Sequence, residues 1–267
     1  MKKRNIFEYL SIYFKMIAQD IKSRMAYRAD FFVSSIALIM INLSGFVTFW
    51  LIFKSIPDIK GFTFNEVLFI YAFSLIAAAP MQLLFDNLWQ VWVHCEEGDF
   101  IKYCFKPINL FFYYIAETFD VKGIGTFIMG VAMFVYSWIK LGIEFSIAKL
   151  GLLLLSLLGA SLVLVGIMTF AAASAFITVY GCPILVFFNQ FREYSRYPIT
   201  IFSKVFRFIF TFIFPLGFMA FYPVMFFLRP DTTILLSILS PVVGIIVFYI
   251  GYKTWMRGAL KYAGTGS

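Results

Sequence analysis

Apolar residues in this chain come in long blocks rather than in the alternation of a strand. Blocks cover Phe31–Phe53, Val67–Leu84, Phe111–Trp138, Ile147–Val179, about Ile199–Phe214 and Thr233–Trp255. Most are near the length at which a helix crosses the hydrocarbon core. The polar intervals between them are short. The pattern predicts an all-α integral membrane protein of about six transmembrane helices.

Ahead of the first block, residues 6–28 carry Phe7, Leu10, Phe14, Ile17, Ile21 and Met25 at spacings of three and four. Glu8, Lys15, Lys22 and Arg28 fall mostly off that stripe. An amphipathic basic helix of this kind lies flat in the inner membrane interface. Residues 1–29 thus read as an N-terminal cytoplasmic helix, and 30–267 as the membrane domain.

Several blocks are interrupted. Pro80 breaks the second. Glu117, Asp120 and Lys122 occupy the first half of the third, where each charge would cost a few kcal/mol at mid-membrane. They are placed near the inner interface or facing the protein interior, either as a polar feature on a pathway or as an internal ion pair orienting the helix. The fourth block is longer than a bilayer requires and is expected to tilt or project. The fifth meets Pro215, Gly217 and Pro223, so a kink or a re-entrant element between helices 5 and 6 is expected. Pro57 and Gly61 mark a short outer loop, and Arg229-Pro230-Asp231 an outer turn.

Composition agrees with a lipid-solvated chain: 62% of the 267 residues are hydrophobic and 13% charged, more apolar surface than a soluble domain of this size hides. The net charge of +8 comes from Lys and Arg gathered on one side. On this topology fifteen of the 22 fall in the N-terminus, the intervals 94–109 and 181–204, and the tail, whereas five fall outside and Lys122 and Arg207 lie within the third and fifth blocks. The asymmetry places both termini in the cytoplasm and makes nucleic acid an unsuitable partner. Cys95, Cys104 and Cys182 read as reduced thiols on that side. The first apolar run follows a charged stretch and exceeds a signal-peptide core, so it is expected to be retained.

Catalytic chemistry is not apparent. His94 is the only histidine, no metal-ligand spacing or Ser/His arrangement is present, and no GxxxxGK[ST] exists to cradle ATP phosphates. No catalytic or metal-ligating residue is assigned. A secondary carrier is expected to show an internal repeat with matched broken helices, and no repeat is evident.

The most informative interval is His94–Asn109, HCEEGDFIKYCFKPIN. Glu96, Glu97 and Asp99 could meet basic residues of a partner while Phe100, Ile101 and Phe105 fill a groove; an ordinary solvated loop is the alternative. The stretch resembles the G-[LF]-D-x-x-[LI]-x-[KR]-P-[LI]-N pattern after the second helix in six-helix permeases of type-2 ABC exporters. It matches at Gly98, Phe100 and Lys106-Pro107-Ile108-Asn109, with Asp99 before the Phe rather than after it. Tyr197-Pro198-Ile199-Thr200-Ile201-Phe202, Phe214-Pro215 and Tyr222-Pro223 resemble that family's fifth-helix run. The tail, Trp255 to Tyr262 with Gly264-Thr265-Gly266-Ser267, is similar to its ending.

The resemblance implies a permease subunit paired with a second permease, identical or paralogous, in the cytoplasmic membrane. It also implies a separate ATP-binding subunit that carries ATP and Mg, with no cofactor in this chain. Glu96, Glu97, Gly98, Asp99, Phe100, Lys106 and Pro107 would form the coupling helix docked on that subunit. Pro215, Gly217 and Pro223 would belong to an outer gate. Helices rich in Phe, Met and small residues favour an apolar or amphipathic substrate, and the resemblance implies its export. A membrane scaffold or assembly protein, or a stand-alone carrier with no ATPase partner, is the competing reading.

Overall fold

The computed structural model describes residues 5–24, 28–56, 58–178, 182–229 and 235–262. Met25, Pro57, Gly181, Pro230, Asp231 and the 264–267 tail, named above, lie outside them. The described chain is helical apart from a hairpin of two-residue strands, β1 (Asp58–Ile59) and β2 (Phe62–Thr63). Lys60 and Gly61 both take positive φ at its tip, as a two-residue hairpin turn requires.

The membrane helices build outward from one element. α3 (Phe64–Leu84) is apolar all round, and 78% of it is buried, whereas 11% of Ile36–Ser55 in α2 (Arg28–Ser55) is. α3 is therefore the core and α2 the rim. α3 starts on a Glu66 carboxylate that accepts from the Thr63 backbone N–H at 2.8 Å and its hydroxyl at 3.0 Å. The helix runs unbroken through Pro80, so the interruption expected there does not occur. α7 (Lys122–Lys140) packs antiparallel on α3. Gly123 sits on Leu83, Gly130 on Leu75 and Ile76, and Phe134 stacks on Phe69 at 4.5 Å. On its outer side Ile124, Ile128, Val131, Val135 and Ile139 are left for lipid or another chain.

α8 (Ile147–Ala172) and α12 (Ser240–Lys261) form the second pair. They run parallel: Gly159 meets Ser240 and Pro241, Gly166 meets Val247 and Phe248, and Phe176 beyond α8 meets Gly258. Gly244 and Gly251 sit against the carbonyls of Gly159 and Gly166. Two glycine pairs seven residues apart let the backbones touch, the close approach that lipid-solvated helices use in place of hydrophobic burial.

By length and hydropathy, four helices among the described residues suit a membrane span: Ile36–Ser55, Phe64–Leu84, Gly123–Lys140 and Ile147–Phe176. The other two expected spans fall on α12, which carries Lys253 and Arg257 toward its end, and on the stretch 182–228, which is broken. That stretch comprises α9 (Cys182–Tyr194), a 3-10 turn at Ile199–Ile201, α10 (Lys204–Phe208) widening into a π turn at Ile209–Ile213, a second 3-10 turn at Leu216–Met219, and α11 (Phe221–Leu228). The π turn and its end fold back on α9, with Phe210 stacked on Tyr194 and Phe214 edge-on to Phe188.

The interval 181–204, expected as a cytoplasmic loop, is corrected by this packing. The Arg196 guanidinium lies over the Tyr71 ring at 5.3 Å, Tyr197 lies tilted against Phe49 at 4.8 Å, and Arg192 shares a cavity with Asn42 and Ser74. These partners sit near the middle of α2 and α3. Two of the cations counted toward the inner side are therefore half-buried against the bundle, where Glu193 pairs with both.

Candidate functional site

One end of the bundle gathers α1 (Ile6–Arg24), residues 86–121, Phe176 and the end of α12. α1 lies on α6 (Leu110–Ala116), with Tyr9 edge-on to Phe112 at 4.9 Å and the Asp20 carboxylate accepting from the Phe119 N–H at 3.0 Å. Its Phe7, Leu10 and Phe14 are exposed.

The interval 94–109 is two short helices, α4 (Val91–Glu96) and α5 (Ile101–Cys104), around a turn at Gly98. Gly98 takes φ +75°, a left-handed conformation suited to glycine. Asn109 ends the segment by capping α6: its Oδ1 accepts from the Phe112 N–H at 2.9 Å, and its Nδ2 donates to the Tyr252 hydroxyl of α12 at 3.1 Å. The cap and the link to α12 give the Lys-Pro-Ile-Asn ending a structural reason.

The segment divides into an outer and an inner set. Glu96, Glu97, Asp99, Ile101, Lys102, Phe105, Lys106 and Pro107 are exposed, Phe105 at 79%. Acidic groups and an unburied aromatic ring thus belong to the same exposed set. Lys102 bridges Asp99 at 3.4 Å, and Lys106 lies over the Tyr113 ring. Phe100 belongs to the inner set, which corrects its expected place in a partner's groove. It is fully buried among Tyr103, Tyr114, Phe176, Trp255 and Tyr262, with ring centroids 4.8–5.8 Å away. The Tyr262 hydroxyl donates to the Cys95 carbonyl at 2.9 Å, closing the tail of α12 over the cluster.

Beneath that cluster lies a chain of polar groups, outside the four spans. The Tyr114 hydroxyl donates to the Asn87 carbonyl at 3.1 Å, so its oxygen is left to accept from His94 Nδ1 at 3.0 Å. Neutral His94 with its proton on Nδ1 satisfies both bonds. Burial, then Lys102, holds the His94 pKa below its ordinary value. Burial pushes the Cys95 thiol up to about 12 and raises Tyr114 well above the usual phenol range. Tyr103 is also raised, by burial and then by its hydrogen bond to Glu117.

Of the three charges placed in the third block, Glu117 and Asp120 lie in the turn between α6 and α7, and Lys122 begins α7. The block is thus two helices with its charges at the junction. Glu117 accepts from Tyr103, and the Asp120 N–H donates to the Leu83 carbonyl at 3.2 Å, tying the junction to α3.

Pro215, Gly217 and Pro223 all lie in the broken stretch. Gly217 and Pro223 are buried. A Cβ on Gly217 would stand 2.7 Å from the Tyr222 ring, so the turn needs glycine. Pro223 sits in the first turn of α11, where no N–H is required of it. Arg207 donates to the Thr200 carbonyl at 2.8 Å and the Phe202 carbonyl at 2.9 Å, satisfying groups freed by the break. Ser240 donates to the Phe218 carbonyl at 3.0 Å, joining the top of α12 to the turn. At the far end Arg229 donates to the Gly61 carbonyl, approaches Glu66 at 3.4 Å and covers the Phe62 ring at 4.3 Å.

Sequence reasoning missed one cluster. Arg192, Ser195 and Arg196 of the α9 region close on Asn42, Gln82 and Thr126. Two arginines at i, i+4 interspersed with Phe191, Tyr194 and Tyr197 were the available signal.

A family model described as ABC-2 family transporter protein matches residues 38–266. No curated protein and no solved structure matches the chain.

Proposed function

The chain belongs to the ABC-2 family of transporter proteins, and from that premise we propose that it is the permease subunit of an ATP-driven exporter, powered by a separate ATP-binding subunit. ATP and Mg would reside on that subunit. A second permease, identical or paralogous, would complete the membrane unit in the cytoplasmic membrane. Both termini would face the cytoplasm, with residues 1–29 as the interfacial helix and 30–267 as the permease domain. The substrate is apolar or amphipathic.

The observation that carries the reading is the two-sided build of residues 94–109. Their exposed set offers Glu96, Glu97, Asp99 and Phe105, a combination suited to a basic-rimmed groove. Their inner side plants Phe100 against Phe176 and Trp255. A push on the outer side reaches α8 and α12 together, because the glycine pairs make those helices one body. α12 carries it to Phe218 through Ser240, and so to the turn holding Gly217. ATP binding would draw two ATPase subunits together and move this body between inward-open and outward-open packings.

The experiment is purification of the tagged chain from native membranes in mild detergent, with identification of what accompanies it in fixed ratio. A stoichiometric ATP-binding subunit, with its ATPase activity uncoupled by Glu96→Lys/Glu97→Lys, is the expected result. A chain that emerges alone under several gentle conditions would overturn the reading and favour a scaffold or a stand-alone carrier.

A further inference from the structure

The cluster around Arg192 has more positive charge and more hydrogen-bonding capacity than its own partners use. Arg192 and Arg196 share one carboxylate, Glu193, with the Arg192 contact at 3.2 Å. No carboxylate is among the described residues that line the cavity in front of them. The Arg192 Nε is buried without a hydrogen-bond partner, and so is Gln82 Oε1 across the same cavity. A donor and an acceptor left open together in a low-dielectric interior are costly. The space between them is about 10 Å³, enough for about one water.

The other face of α9 is apolar. Phe187, Phe191, Phe206 and Phe210 line a groove of about 320 Å³ there. Each space shares wall residues with a third. Tyr194, Phe202 and Phe210 line both the groove and a narrow cleft, and Ser195 lines both that cleft and the polar cavity.

We propose that cavity, cleft and groove form one site for a single-chain anionic amphiphile, its head drawn to Arg192 and its alkyl chain lying along the phenylalanines. The excess cation selects the sign of the head, and an anionic oxygen takes the open Nε. A head that also carries a proton satisfies Gln82. The head is larger than a water, so it is admitted when the Leu216–Met219 turn, which supplies Met219 to the cavity wall, moves. The inference names the substrate class for the permease reading. It rests on that reading for the site's use but not for its binding chemistry.

The test titrates dodecyl phosphate into the purified full chain in a neutral maltoside detergent, following thermal stability and bound ligand. A saturable rise in Tm is expected, with affinity at least ten-fold weaker in Arg192→Gln and in Gln82→Glu. Gln82→Glu supplies a resident carboxylate beside Arg192, so it should melt at or above the parent and keeps the test decisive if Arg192→Gln folds poorly. Dodecylphosphocholine should compete weakly. Two-chain phosphatidic acid should also compete weakly, which separates a cargo-like amphiphile from bulk lipid. Equal affinity in parent and Gln82→Glu, or equal binding of the zwitterion, would overturn the site. Recruitment of the ATP-binding subunit by the same variants is scored separately. Recruitment without anion selectivity sinks the site alone, and anion selectivity without recruitment sinks the permease reading alone.

Discussion

Phe100 meets Trp255 edge-on with ring centroids 5.8 Å apart, and through this contact the loop after the third helix is joined to the last helix of the bundle. Both rings are fully buried. Phe100→Ala removes five ring contacts at once and should cost about 3–5 kcal/mol. Phe100→Leu keeps much of the volume and should cost less. Denaturation in detergent measures both, and an unchanged midpoint for the alanine variant would remove the loop's mechanical anchor.

Glu96 and Glu97 pose the opposite case. Both are exposed, so charge reversal should leave stability within roughly 0.5 kcal/mol. Binding to the ATP-binding subunit should fall sharply and lose its salt dependence, because opposed charges set the encounter. Retained ATP-driven transport in Glu96→Lys/Glu97→Lys would count against docking here.

The helical class and the membrane setting were legible because length and hydropathy alone dictate them, and the ordered motifs pointed to the family. The place of Phe100 was not legible. An aromatic residue in a polar stretch reads as surface until Phe176, Trp255 and Tyr262, distant in sequence, are brought around it. Arg192 and Arg196 misled for a related reason: the positive-inside rule counts charges by interval and has no term for a cation that finds Glu193 and a Tyr ring inside the bundle. The breaks at Pro215 and Pro223 were readable, since proline acts locally. Which carbonyls Arg207 would satisfy depended on the fold.

The glycine seam between α8 and α12 provides a stability test with an internal control. A Cβ on Gly244 would run into the Gly159 carbonyl. Gly244→Ala should therefore destabilise by about 1–3 kcal/mol, the usual penalty of forcing volume into a packed site. Gly151, also on α8, has nothing within 4 Å of a built Cβ. Gly151→Ala should be neutral or gain roughly 0.5–1 kcal/mol from helix propensity. Comparable losses in both variants would show that the seam is not specially tight.

His94 predicts how this end of the bundle responds to acid. Its pKa lies below its ordinary value of 6.5, first because it is buried and then because Lys102 is near, with Glu117, Asp99 and Glu97 pulling weakly the other way. The unfolded chain therefore binds a proton at this site at a pH where the folded chain does not. Stability attributable to His94 is complete above about pH 6.5 and is lost as the pH falls below it. Protonation would also place a second donor on the ring in a buried setting, beside a Tyr114 hydroxyl whose proton is already committed to Asn87. Tm should consequently drop between pH 7.5 and 5.5. His94→Gln, which can still donate toward Tyr114 without titrating, should show a smaller drop over that interval while losing some stability at pH 7.5. The two melting curves plotted against pH settle the matter: parallel slopes for parent and variant would mean that the acid sensitivity, if present, arises elsewhere.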